Sequence, residues 1–436
     1  MNALSRLPGP VESGPERRRR NARTGPFGVL DIGTTKVVCL IARVEGDGEP
    51  RVLGFGWQRV NILYREREIR HILTDSEPAA IVTNTESREF VPEGAPVWLV
   101  ADLAAEAELQ PDSRLLHLQW HIGGRAVTDA DLRAILHEGR RRGHEDGRET
   151  VHGSPVSFTV DATPGVEDPR GMVCETLGAR VHLVDAAQLS LRNLGACLAR
   201  CDLEVEELVS APLAAGLATL VEDEKRIGAT VIDMGGGTTS LAVFSEGQLL
   251  HTAQIGVGGW QVTNDLARVL STPISHAERL KTLHGGALVS NDDEREMLPV
   301  PLVGEDEDHI ARVPRAMIVN IIRPRLEETF AMVRERLRDA GVTKEAGSRV
   351  VLTGGASQLL GAREVAARVL DRQVRIGRPR GVRGLPDTAG GPPFAAAIGL
   401  LAWGAGEGRP VIDIAPGPAR PDGVLRRIID FLRVRL

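Results

Sequence analysis

The chain has 436 residues, 42% of them hydrophobic and 26% charged, with a formal net charge of −6. These values exclude a disordered chain and leave room for roughly two to four domains. Net acidity and only 3% aromatic residues speak against nucleic acid as the partner, which requires basic surface and stacking rings.

Four cysteines, Cys39, Cys174, Cys197 and Cys201, are too few and too scattered for a disulfide framework. Cys197 and Cys201 stand one helical turn apart without further His or Cys ligands, so they read as ordinary helix thiols. No apolar run reaches the length of about 18 residues that spans a bilayer.

Residues 1–26 carry Pro, Gly and the Arg17–Arg20 cluster with no apolar stretch behind it. They predict a disordered basic tail rather than a secretory signal, and hence a cytoplasmic protein. FGVLDIGTTKVVCLIARV then predicts two strands around a tight turn, Asp31-Ile32-Gly33-Thr34-Thr35-Lys36. Residues 60–112 predict a helix at 66–74 and strands at 79–83 and 97–101, and 122–205 alternate strands with helices. ATVIDMGGGTTSLAVF repeats the first unit: a strand, Asp233, Gly235-Gly236-Gly237-Thr238, and a second strand. Two such units point to two related halves facing each other across a cleft.

Further on, Glu278 and Lys281 in AERLKTLHG are three apart and share a helix face, as do Arg325 and Glu328 in IIRPRLEETF. Either pair could equally be a surface ion pair or a solvated charged face. A buried strand at 350–353 ends in Gly354-Gly355, and Ala356 or Ser357 is predicted to open a helix. A core helix at 393–403 and a Gly/Pro-rich linker at 402–423 lead to DGVLRRIIDFLRVRL. In that terminal helix, 424–436, Leu425, Ile428, Ile429, Phe431 and Leu432 lie on one arc, with Arg426, Arg427 and Arg433 opposite. A segment of this kind on a flexible leash suits an anionic membrane surface, and a partner groove is the alternative.

The two glycine-rich turns suit phosphate. Glycines let backbone N–H groups approach phosphate oxygens, threonines add donors, and Lys36 can supply a point charge. Asp31 and Asp233 at the strand ends suit Mg²⁺ held through its own waters. Taken singly, each turn could be no more than a glycine-rich hairpin. No Walker-type GxxxxGK[ST] sequence occurs.

With DIGTTK, DMGGGTTS and LTGGASQL in this order, the chain resembles the actin/heat-shock-70/sugar-kinase ATPase superfamily. Within it, GGRAVTDADLRAIL, VGGWQVTNDLARVLSTPISHAERLKTLHG, IIRPRLEETF, QVRIGRPRGVRGLP and FAAAIGLL resemble the FtsA family of bacterial cell-division proteins. The likeness covers about 27–59 and 113–401, plus the terminal helix. It implies an α/β, two-lobed actin-like ATPase fold with duplicated subdomains. It also implies a small α+β subdomain inserted at 122–205, and a C-terminal amphipathic helix.

By that resemblance, Asp31, Gly33, Thr34, Thr35 and Lys36 contact the β- and γ-phosphates of ATP and Mg²⁺ from one side. Asp233, Gly235, Gly236, Gly237 and Thr238 do so from the other. Glu278 and Lys281 face ribose and adenine, and Gly354, Gly355 and Ser357 face the adenosine. Arg325 and Glu328 fall where the family takes the C-terminal tail of FtsZ. The insert is implied to serve self-association into polymers and contacts with other divisome proteins. The protein would tether FtsZ filaments to the cytoplasmic face of the inner membrane at the division site.

With DIGTTK matching the family's phosphate loop 1 and DMGGGTTS its phosphate loop 2, the segment before loop 2, LVSAPLAAGLATL, offers Ala211-Pro212 where an acid or amide would orient the attacking water. Turnover is therefore expected to be feeble, since general-base help is worth about 10²–10⁴ in rate. Residues 60–112 depart from the family, and NILYREREIRHILTDSEP resembles a fragment of an acyl-CoA synthetase without that family's nucleotide motifs. Alternatives with the same fold are a pilus-assembly relative and a sugar- or acetate-kinase-like phosphotransferase.

Overall fold

The computed structural model describes residues 25–33, 35–59, 97–101, 111–199, 203, 205–305 and 310–409. Thr34, the tail up to residue 24, the stretches 60–96 and 102–110, and everything from 410 onward lie outside the described residues. So do the helix expected at 66–74, the strand expected at 79–83 and the terminal helix.

Two five-stranded sheets repeat one plan. The first comprises β1 (Pro26–Ile32), β2 (Lys36–Val44), β3 (Pro50–Arg59), β4 (Val97–Ala101) and β9 (Val205–Val209), ordered β3-β2-β1-β4-β9. The second comprises β10 (Ala229–Met234), β11 (Thr239–Ser245), β12 (Gln248–Ile255), β15 (Arg349–Thr353) and β16 (Gln373–Ile376), ordered β12-β11-β10-β15-β16. In each, an antiparallel meander of three strands is extended by two parallel ones. The central strands are buried on both faces, which is why β1, β10 and β11 read as near-continuous apolar runs. The strand expected at 97–101 is present as β4 and pairs with β1 and β9.

A separate four-stranded sheet, β5 (Asp112–Ala126), β6 (Arg148–Val160), β7 (Thr163–Val166) and β8 (Val173–Ala187), is ordered β5-β8-β6-β7. It packs against α1 (Asp129–Arg142) around Leu118, Leu132, Ile135, Phe158 and Leu177. Thr128 caps α1 with Asp131 in a capping box, and Arg125 grips the same carboxylate at 2.6 and 2.7 Å. This is the expected α+β insert, but its limits differ from 122–205. One uninterrupted strand, β5, crosses residue 122 while paired along β8 from Asp112 onward. At the other end, α2 (Gln188–Ala199) packs Leu194 and Leu198 under Leu30, Ile32 and Val37 of the first sheet, outside the insert.

Between the large sheets stand α3 (Ala211–Thr219) and α9 (Ala395–Gly404), buried almost all round. Their side chains share one core with Phe27 and Val29 of the first sheet and with Val231, Phe244 and Val351 of the second. The helices cross so closely that a Cβ on Gly399 would lie 1.7 Å from the Ala214 carbonyl oxygen. After the short α4 (Glu222–Ile227), the second lobe adds α5 (Gly259–Val269), α6 (Ile274–His284), α7 (Arg315–Asp339) and α8 (Ala362–Leu370). It also carries a hairpin of β13 (Met297–Pro301) and β14 (Ile310–Pro314).

The linker expected to begin at 402 is displaced. α9 runs to Gly404, Trp403 and Ala405 are buried, and Arg409 lies over Trp403 while pairing with Glu207 at 2.8 Å. Packing of Trp403 and Ala405 therefore holds 402–409 on the body.

Candidate nucleotide site

Each lobe presents the turn that follows its first strand. In the first, Gly33 N–H donates to the Lys36 carbonyl at 2.9 Å, and in the second Gly235 N–H donates to the Thr238 carbonyl at 2.8 Å. The identical closure follows from identical strand registers on either side.

Asp31 and Asp233 are next to last in β1 and β10, and both lie within electrostatic reach of one ammonium, Lys36. Burial pushes the Asp31 carboxyl up to about 6, with Lys36 partly opposing it. Asp233 is raised by burial and by the charge of Asp31, again opposed by Lys36. Burial also pushes Lys36 down to about 8 against the pull of both carboxylates. Two acids with one lysine leave an excess of buried negative charge, which a cation would relieve. The Lys36 ammonium also donates to the Pro393 carbonyl and sits 3.5 Å from the centre of the Phe394 ring. Phe394 packs edge-on against Phe55 and Trp57, so phosphate loop 1 is fastened to the segment that opens α9.

The third motif abuts the second. Gly354 has φ +83°, and a Cβ there would fall 2.2 Å from Asp233 Oδ1 and 2.5 Å from the Met234 carbonyl oxygen. Only glycine allows β15 to end so close to phosphate loop 2. The helix expected to open at Ala356 or Ser357 is a single 3₁₀ turn, Gly355–Gln358, and the α-helix starts at Ala362. Gly361, at φ +85°, turns the chain between them, while the buried Ser357 hydroxyl donates back to the Gly354 carbonyl at 2.7 Å. A cavity of about 620 Å³ opens beside this turn, lined among others by Ser357, Gly361, Arg378 and Thr388.

Glu278 and Lys281 lie on α6, paired at 2.6 Å. Lys281 also reaches the Gly259 carbonyl at 3.1 Å, and Gly259 N–H in turn donates to the Gly235 carbonyl at 3.0 Å. The second glycine-rich turn, the start of α5 and the Glu278–Lys281 pair thus meet at one place. Arg325 and Glu328 lie on α7 and pair with each other, but Arg325 also holds Asp265 of α5.

Sequence reasoning missed the start of α5. Gly259 and Trp260 N–H donate to the carbonyls of Gly235 and Gly236, at 3.0 and 2.7 Å. A Cβ on Gly258 would sit 2.5 Å from the Gly236 carbonyl oxygen. The glycine pair in VGGW was the available signal, but its meaning depends on which loop packs there.

The residues present fit a magnesium nucleotide. Two carboxylates, Asp31 buried and Asp233 half-buried, share a single lysine, and glycines at 258 and 354 let α5 and the end of β15 pack directly on the second glycine-rich turn, where a Cβ would collide. Among the described residues no group of three or more His, Cys, Asp or Glu forms a metal site, so any Mg²⁺ would complete its shell with water and phosphate.

Comparison with known proteins adds the lineage. A family model described as cell division protein FtsA matches residues 230–399, and one described as the SHS2 domain inserted in FTSA matches residues 108–185. Cell division protein FtsA from Agrobacterium fabrum is 41% identical over 389 residues, covering 86% of each chain. The chain belongs to the FtsA family of cell division proteins.

FtsA from Escherichia coli K12 is 31% identical over 402 residues, covering 86% of this chain and 89% of its own. A solved structure titled PilM-PilN type IV pilus biogenesis complex superimposes with a TM-score of 0.58 at 17% identity, over 88% of this chain and 99% of that one. That likeness shows the actin-like fold alone. Membership of the FtsA family displaces the pilus-assembly and phosphotransferase alternatives. The SHS2 match, ending at 185, also agrees with an insert that closes with β8.

Proposed function

We propose that this FtsA-family chain binds ATP with Mg²⁺ in the cleft between its lobes and uses it as an assembly switch. The observation that carries this is the pair of identically closed glycine-rich turns, each beside an aspartate, with Gly354 closing against Asp233. Asp31, Gly33, Thr34, Thr35 and Lys36 serve the phosphates and Mg²⁺ from one lobe. Asp233, Gly235, Gly236, Gly237 and Thr238 do so from the other. Gly354, Gly355 and Ser357 line the adenosine, with Glu278 and Lys281 beyond them. All of α3 is apolar apart from Thr219, whose hydroxyl is spent on the Ala215 carbonyl, so nothing in it positions water, and hydrolysis is slow.

In the same reading the protein tethers FtsZ filaments to the cytoplasmic face of the inner membrane at the division site. The terminal helix supplies the membrane contact through Leu425, Ile428, Ile429, Phe431 and Leu432, flanked by Arg426, Arg427 and Arg433. One short helix binds weakly, so polymerisation would supply avidity. Arg325 and Glu328 mark the face offered to the FtsZ tail, and the insert serves self-association and divisome partners.

The test is sedimentation of the purified chain with anionic liposomes and ATP, with and without residues 424–436. Loss of pelleting on truncation is expected. Equal pelleting of the two forms would sink the tether.

A further inference from the structure

Thr263 lies in the middle of α5 and is fully buried, yet its hydroxyl sits within a compact polar knot. It is 2.5 Å from Glu278 Oε2, with a longer approach of 3.2 Å to the Gly259 carbonyl. The Lys281 ammonium donates to three acceptors: Glu278 Oε2 at 2.6 Å, Thr263 Oγ1 at 2.8 Å and the Gly259 carbonyl at 3.1 Å. An ammonium has three protons to give. A hydroxyl has one, and the short contact to the carboxylate takes it. Thr263 therefore donates to Glu278 while accepting from Lys281.

This knot removes the freedom a glutamate on a helix flank normally has. The carboxylate is held through Oε2 by two donors, one of them charged and one anchored in the core. Gly259, whose carbonyl closes the knot, is bonded through its N–H to phosphate loop 2. The orientation of Glu278 is thereby tied to the position of the phosphates.

We propose that Thr263 is a positioning residue: with Lys281 it fixes the Glu278 carboxylate as the acceptor for a ribose hydroxyl, so that the cleft selects ribonucleotides. The proposal rests on the nucleotide reading of the cleft.

The experiment measures the affinities of the full chain for ATP and for 2′,3′-dideoxy-ATP, both with Mg²⁺, by calorimetric titration. Thr263→Val keeps the side-chain shape and removes the hydroxyl. It should weaken ATP about tenfold and dideoxy-ATP by less than about twofold, the scale of one hydrogen bond to a charged group. Thr263→Ser should restore the preference for ATP. Because both affinities are read on the same folded fraction, their ratio is unaffected by partial unfolding of a variant. Equal losses for the two nucleotides, no loss for either, or a serine variant as impaired as valine would overturn the proposal. Failure of the unmodified chain to bind ATP would instead remove the nucleotide reading itself, and this proposal with it.

Discussion

Arg325 holds Asp265 with two edges of its guanidinium, Nε to Oδ2 at 2.6 Å and Nη2 to Oδ1 at 3.0 Å. The pair joins the middle of α7 to α5, whose first turn is bonded to phosphate loop 2. Both side chains are about three-quarters buried, and the Arg325 guanidinium is held above its usual range chiefly by its hydrogen bonds to Asp265. The residue expected to meet a partner is thus also a strut of the second lobe.

Arg325→Ala should therefore cost stability even without a partner, by about 1–3 kcal/mol, because Asp265 is left half-buried and unpaired. Urea unfolding of the single variants and of the Arg325→Ala/Asp265→Ala double variant checks this. The double variant should lose less than the sum of the singles. An unchanged midpoint for Arg325→Ala would mean that the guanidinium carries no load within the lobe.

Gly354→Ala should weaken ATP binding by at least about tenfold. The new methyl meets both Asp233 Oδ1 and the Met234 backbone, and the positive φ adds strain of order 1 kcal/mol. Nucleotide titration reads the loss, and far-UV circular dichroism should stay unchanged because the clash is confined to the loop. Wild-type affinity in this variant would place the nucleotide elsewhere.

Asp31, buried, and Asp233, half-buried, give the nucleotide-free chain a definite pH dependence. Asp31 and Asp233 hold their protons more tightly folded than unfolded, so the folded chain binds more protons from about pH 4 upward. The stability this preference provides is present at low pH and is lost as pH rises through about 6 for Asp31 and about 7 for Asp233. Asp233→Asn should then melt higher than wild type at pH 8, the difference closing toward about pH 4. Mg²⁺ with ATP should raise the wild-type melting temperature and leave the variant unmoved. A lower melting temperature for the variant at pH 8 would contradict the burial of uncompensated charge.

A second pH effect is expected where the insert meets the second lobe. His182 is fully buried, its Nε2 2.6 Å from the Ser113 hydroxyl, which lies 3.3 Å from His251 Nδ1 of β12. The His152 ring stands 5.9 Å from that of His182. Burial lowers His152 to about 4 and holds His182 well down, helped by the neighbouring imidazoles. His251 is lowered by burial against an opposing pull from Asp112. Histidines kept neutral in this way stabilise fully above the unfolded value near 6.5, and that contribution is lost as pH falls below it. Protection factors for the amides of β5 and β12, corrected for the intrinsic exchange rate at each pH, should fall between pH 7 and pH 5, and less so in His182→Gln. Uniform protection across that range would rule the effect out.

The phosphate turns were legible because their chemistry is local. An aspartate at a strand end, followed by glycines and threonines, specifies a hairpin whose backbone faces outward whatever surrounds it. Glu278 and Lys281 were legible as a pair because helical spacing of three fixes their contact. Thr263, Gly258 and Pro393 were not, because each acts through a partner at least 15 positions away or through a carbonyl no sequence pattern marks. The insert's first boundary failed for the same reason, since β5 extends back to Asp112 only by virtue of its pairing with β8.

By itself, then, the sequence determined the elements whose causes lie within a few residues: the apolar strands, the glycine turns and the duplicated unit. Tertiary structure alone decided which of these meet. It brought Asp31 and Asp233 within electrostatic reach of one lysine, closed Gly354 against Asp233, and gave Arg325 an aspartate from another helix. Those contacts rest on burial and close approach between distant segments, and both are properties of the packed chain.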